Sequence, residues 1–154
     1  MKTIQQWFVE YGESHKNPIN KRIHWLCVPV IYWTVAALLY GLPLPFIGAT
    51  PWLNAASLTM LAVTVFYARL SLSLALGMAI FSLLCLMLCA ELVAADFWPL
   101  WQIALVVFVL AWIGQFIGHA IEGKRPSFMQ DLQFLLIGPA WCLGFIYRRV
   151  GISL

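Results

Sequence analysis

The chain has 154 residues, 63% of them hydrophobic and 10% charged, with a mean hydropathy of +0.88 and a formal net charge of +3. Soluble domains carry about 25% charged residues, so a chain this apolar cannot cover a soluble surface, and the composition predicts one all-α integral membrane domain. The basic residues lie beside apolar runs, where membrane orientation accounts for them, and no block of like charge suggests a nucleic acid partner.

The N-terminal stretch holds Lys2, Glu10, Glu13, Lys16, Lys21 and Arg22 and no early apolar run, which argues against a cleavable signal peptide. Residues 1–16 read as an amphipathic helix. Ile4, Trp7, Phe8 and Tyr11 recur at helical spacing among polar residues, and such a helix can lie in the membrane interface with its aromatics among the headgroups. Asn17-Pro18 breaks it and opens the next helix, with Asn17 as cap and Pro18 in the first turn.

Four spans are expected within residues 23–119: Ile23 to Tyr40, Trp52 to Ala68, Leu72 to Leu92, and from Trp98-Pro99 to His119. Residues 120–131 read as a charged loop. The last apolar piece, Leu132 to Tyr147 in the segment 132–154, is short and holds Gly138-Pro139 at its centre. It reads either as a fifth span or as a re-entrant hairpin.

With the N-terminus in the cytoplasm and four crossings, Lys2, Lys16, Lys21, Arg22, Arg69, Lys124 and Arg125 fall inside, and the outer loops carry only Glu91 and Asp96. A hairpin puts Arg148 and Arg149 inside as well, so that all nine basic residues are cytoplasmic and the hairpin is favoured. This topology also gathers His15, His24, His119 and Glu122 at one membrane face. Gln115, His119 and Glu122 share a face of the fourth span, and Asn20 and His24 share a face of the first.

Three imidazoles and a carboxylate suit a first-row divalent metal such as iron or zinc, with Asn, Gln and carboxylate side chains orienting the rings. Glu122 can be a ligand or such an orienter. Histidines at an interface also occur as plain polar trim, and H-x-x-E alone is a weak motif. The four cysteines, Cys27, Cys85, Cys89 and Cys142, lie in apolar segments and read as inert thiols. Ala75, Gly77 and Ala79 allow close helix contact without establishing a homo-oligomer. No nucleotide-binding or serine-hydrolase signature occurs.

Two blocks carry a resemblance. Y-G-E-S-H-K-N-P-I-N-K-R-I-H-W-L-C-V-P, from Tyr11 to Pro29, and Q-F-I-G-H-A-I-E-G-K-R-P-S-F-M-Q-D-L-Q-F-L-L-I-G-P, from Gln115 to Pro139, resemble the family of the fungal 2-hydroxy fatty acid dioxygenases. The likeness spans nearly the whole chain. It implies an iron(II)-dependent membrane enzyme that shortens a 2-hydroxy fatty acid by one carbon with dioxygen and releases carbon dioxide. It also implies His15, His24 and His119 as the motif histidines, at once catalytic and metal-binding, while Glu122 remains a less central candidate ligand from its position alone. Lys21, Arg22, Lys124 and Arg125 are candidate anchors for the substrate carboxylate, and equally topology determinants beside headgroups.

Two other classes stay open on the sequence alone: another membrane metalloenzyme acting on lipids, such as a zinc-dependent hydrolase, and a non-enzymatic lipid-binding or transport protein. The near absence of polar groups within the spans argues against a solute path. The membrane is the bacterial inner membrane for a bacterial source and the endoplasmic reticulum for a eukaryotic one, with the site on the cytoplasmic face.

Overall fold

The computed structural model describes residues 2–45, 50–123 and 128–154, with side chains for all of these but residues 128–133. Its elements are α1 (Ile4–Gly12), α2 (Pro18–Tyr40), α3 (Ala55–Ala68), α4 (Leu72–Ala95), α5 (Leu100–Glu122) and α6 (Phe128–Val150), so the expected all-α class holds.

The helix starts follow their caps. Thr3 and Gln6 form a reciprocal capping box at α1. Asn17 accepts from Ile19 N at 2.8 Å to open α2, with Pro18 in its first turn. Asn54 and Ser57 form the box of α3, and Ser71 caps α4. Helix α5 ends at Gly123, whose φ of +72° is left-handed and suits a residue without Cβ.

Among the described residues, three helices, α2, α4 and α5, are long and apolar enough to cross a membrane. The second expected span differs. Trp52 and Leu53 lie outside the helix, and the 14-residue α3 is about 21 Å long, short of a hydrocarbon core of about 30 Å.

The helices run alternately. Ala37 and Tyr40 at the end of α2, Ala56 at the start of α3, Cys89 near the end of α4, and Leu100 and Ala104 at the start of α5 form one cluster at the far end. The starts of α2 and α4 and the ends of α3 and α5 therefore share the opposite, near end. Helix α2 packs along α5 more extensively than any other pair. Gly114 and Gly118 make that approach close: a Cβ on Gly114 would meet Cys27 Sγ at 2.7 Å, and one on Gly118 would collide with Asn20 Oδ1.

Helix α6 is a single helix that passes through Gly138-Pro139 without a break, so the chain does not reverse there. The helix starts five residues after Gly123, and near its other end Tyr147 Oη donates to Ser73 O in the first turn of α4 at 2.7 Å. Among the described side chains, no α6 residue joins the far cluster. Gly77 of α4 faces Tyr147 and Leu143, so the small residues first read as a surface for close helix contact are used within the chain.

Helix α1 also differs from expectation. Ile4, Phe8 and Tyr11 are buried in protein. Phe8 fills the space over Gly144 of α6, Tyr11 that over Gly138, and Trp7 meets Phe134 edge-on. The apolar face read as lying among headgroups is docked on α6. Outside the bundle, Leu76, Leu84, Leu105, Val106, Leu110 and many other apolar side chains are exposed, as for a lipid-facing surface.

Candidate metal centre

The near end carries a cluster of three histidines, each on a different piece of chain. His15 lies just after α1, His24 in the second turn of α2, and His119 in the last turn of α5. All three are buried, with 3%, 2% and 7% of their surface exposed. One ring nitrogen from each lies within 4.8 Å of the other two. The rings stand across one another, His15 and His24 at 78° and His24 and His119 at 90°, so they converge rather than stack.

Two of the rings have their tautomer set by the backbone. His15 Nδ1 donates to Tyr11 O at 2.6 Å, and His24 Nδ1 donates to Asn20 O at 3.1 Å. A neutral imidazole that donates from Nδ1 carries its lone pair on Nε2, the arrangement that holds a ligating ring in place. Tyr11 also stacks on His15 with centroids 4.2 Å apart and planes 9° from parallel.

Glu122 does not join the ring cluster. Its two oxygens accept from Lys16 N at 2.8 Å, Asn17 N at 2.9 Å and Asn20 Nδ2 at 2.9 Å. The carboxylate thus sits at the start of α2, where helix amides lack partners and the dipole favours an anion. Among the described residues, the groups able to hold a metal together are the three histidines alone.

A cavity of about 40 Å³ opens beside the rings. It is lined by Tyr11, His15, His24, Val28, Ile31, Trp112, Gln115, His119, Phe134 and Leu135. Of the four residues considered as carboxylate anchors, Lys21 and Arg22 do not line it, and Lys124 and Arg125 lie outside the described residues. Sequence reasoning placed Gln115 on the face of His119 but passed over Trp112 and read Tyr11 only as apolar surface. The signal for Trp112 was its spacing: Trp112, Gln115 and His119 are i, i+3 and i+7 on one helix.

The donor set fits a first-row divalent metal. Imidazole suits iron and zinc alike. Three nitrogens about 2.1 Å from one ion stand about 3.6 Å apart when spread evenly around it, so ring atoms that lie within 4.8 Å of one another close by up to roughly 1 Å to share it. Three protein ligands would leave other coordination positions for small molecules, and the same three histidines line the cavity.

The four cysteines are all free and buried, and none belongs to the metal-capable group of the three histidines.

Comparison with known proteins finds one family. The family model described as 2-hydroxy-palmitic acid dioxygenase Mpo1-like matches residues 1–150. No curated protein and no solved structure matches the chain. The matched region holds all three histidines and the cavity they line, and the chain belongs to the Mpo1-like family.

Proposed function

We propose that this protein is a membrane-bound, iron(II)-dependent dioxygenase that converts a 2-hydroxy fatty acid to the acid one carbon shorter. The observation that carries this reading is the convergence of His15, His24 and His119 beside a cavity in a chain of this family. The reaction balances without a further reductant. A 2-hydroxy acid and dioxygen give the shortened acid, carbon dioxide and water; the bond between C1 and C2 breaks, and the substrate supplies all four electrons.

His15, His24 and His119 would hold the ion. Iron(II) would supply the one-electron chemistry that lets dioxygen react with a closed-shell organic acid. The chain's own contribution is positional. Tyr11 O and Asn20 O fix two rings, and the Glu122 carboxylate ties the end of α5 to the start of α2. Val28, Ile31, Phe134 and Leu135 give the cavity apolar walls that suit the first carbons of an acyl chain and keep bulk water from the reacting centre. A site at the near end of a lipid-facing bundle suits a substrate with its acid head at the interface and its tail among apolar groups, and the run of Lys and Arg at that end supports a cytoplasmic N-terminus and site.

The test is metal analysis joined to oxygen consumption. Protein purified without chelator is expected to hold one iron per chain and to consume one dioxygen per 2-hydroxypalmitic acid, with pentadecanoic acid as product. His24→Ala and His119→Ala are expected to lose both iron and turnover. Full occupancy and activity in both variants, or turnover without oxygen on a zinc-loaded protein, would overturn the reading.

A further inference from the structure

Two residues that line the cavity each have a buried polar atom with no protein partner: Gln115 Oε1 and Trp112 Nε1. Both atoms are shielded from solvent, and the Gln115 side chain is 7% exposed. Buried donors and acceptors are nearly always paired, so one of each left open on the same wall calls for a partner that the chain does not itself supply. They lie on the face of α5 that carries His119, Gln115 one turn before it and Trp112 two turns before. No lysine or arginine lines the cavity among the described residues, so an acid entering it meets the indole N–H and no cation there.

We propose that Gln115 and Trp112 read the head of the acid substrate. Gln115 Oε1 accepts from the 2-hydroxyl, and Trp112 Nε1–H donates to a carboxylate oxygen. The assignment follows from hydrogen-bond roles. An amide oxygen can only accept, so it repels a carboxylate and welcomes a hydroxyl; an indole N–H can only donate, so it suits the carboxylate. This rests on the dioxygenase reading above and deepens it: the pair gives the site its requirement for a hydroxyl at C2. A pocket built to hydrogen-bond a substrate hydroxyl leaves its own group unmet when the hydroxyl is missing, and so rejects the plain acid. Because Gln115 approaches from one helix only, the same contact favours one enantiomer of the 2-hydroxy acid.

The experiment uses the iron-loaded full chain in lipid nanodiscs under argon, with binding of 2-hydroxypalmitic acid and of palmitic acid measured by calorimetry. Gln115→Met keeps the volume and loses the acceptor. It is expected to weaken the hydroxy acid about tenfold and to leave palmitic acid unchanged, the size of one lost hydrogen bond. Trp112→Phe is expected to weaken both acids by a similar factor, leaving their ratio as in the wild type. Gln115→Asn, which withdraws the oxygen without losing it, gives the same readout if the methionine variant does not fold. Equal effects of a Gln115 substitution on the two acids, or none, in protein with wild-type iron content would overturn the proposal. Wild-type protein that holds iron but consumes no oxygen with the hydroxy acid overturns the dioxygenase reading instead.

Discussion

The side-chain amide of Asn20 donates to Glu122 Oε2 at 2.9 Å and to Ser14 O at 3.2 Å, while its backbone carbonyl accepts from His24 Nδ1. One fully buried residue thereby joins the three pieces of chain that bring the histidines. Ser14 precedes His15, Asn20 is one turn from His24, and Glu122 is three residues past His119. Glu122 completes the tie through Lys16 N and Asn17 N.

A tether and a metal ligand predict different outcomes. With Glu122 as a tether, Asn20→Ala and Glu122→Ala both loosen the same joint, and each is expected to lower metal affinity about 10- to 100-fold, as loss of an orienting partner does. Helix α2 keeps its Asn17 cap in both variants, so helical content measured by circular dichroism should hold. Metal titration decides. Full affinity in Asn20→Ala together with loss in Glu122→Ala would make Glu122 a ligand.

The close approach of α2 and α5 sets a second expectation. A methyl group on Gly118 would meet Asn20 Oδ1 and come within 3.3 Å of His24 Cε1, between two helices with no room to part. Gly118→Ala is expected to cost about 1–3 kcal/mol as an overpacked contact and to weaken metal binding as well. Gly114→Ala meets Cys27 Sγ, one turn farther from the rings, and is expected to lower the melting temperature while keeping the metal. Gly41→Ala has nothing within 4 Å and serves as the neutral control. A wild-type melt and metal affinity in Gly118→Ala would show that the helices stand farther apart than described.

Much of the site was legible before the fold. Antiparallel helices put His24, near the start of α2, level with His119, near the end of α5, and the Asn17-Pro18 start is written in local chemistry. The shortfall of α3 was less visible. Trp52 and Leu53 extend the apolar run, but the Asn54 cap starts the helix only at Ala55, and hydropathy does not record where a helix begins.

Pro139 misled because a proline missing its N–H usually breaks a helix. Here α6 continues through it, as α2 does through Pro29. The amphipathic pattern of α1 was read correctly, but it has two outlets, lipid or protein. The clue to protein lay far along the chain in Gly138 and Gly144, the bare positions that receive Tyr11 and Phe8.

That docking gives a third prediction, because α1 leads directly into His15. Phe8 seats against Gly144, and Tyr11 stacks on His15 and meets Trp141 with centroids 5.1 Å apart. Gly144→Leu fills the seat of Phe8 and should lift α1 from α6. Faster amide exchange across Ile4–Gly12 and weaker metal binding are expected together, although residue 144 touches no histidine. Tyr11→Phe keeps the stack on His15 and is expected to leave both near wild type. Metal affinity unchanged in Gly144→Leu while α1 exchanges freely would mean that His15 is held without α1.

The charge pattern yields the last prediction. Lys2, Lys16, Lys21, Arg22 and Arg69 lie at the end of the bundle that carries the histidines, and Glu91 and Asp96 lie toward the far end. Loops rich in Lys and Arg stay in the cytoplasm, so the near end should face inward whether or not α3 reaches both surfaces. The native cysteines are all buried and should stay silent to a membrane-impermeant maleimide on folded protein. Single cysteines placed at two exposed positions then report the sides. Ala95→Cys at the far end is expected to label in intact cells, and Glu13→Cys at the near end only after permeabilisation. The reverse pattern would place the histidine cluster outside and remove it from a cytoplasmic supply of hydroxy acid.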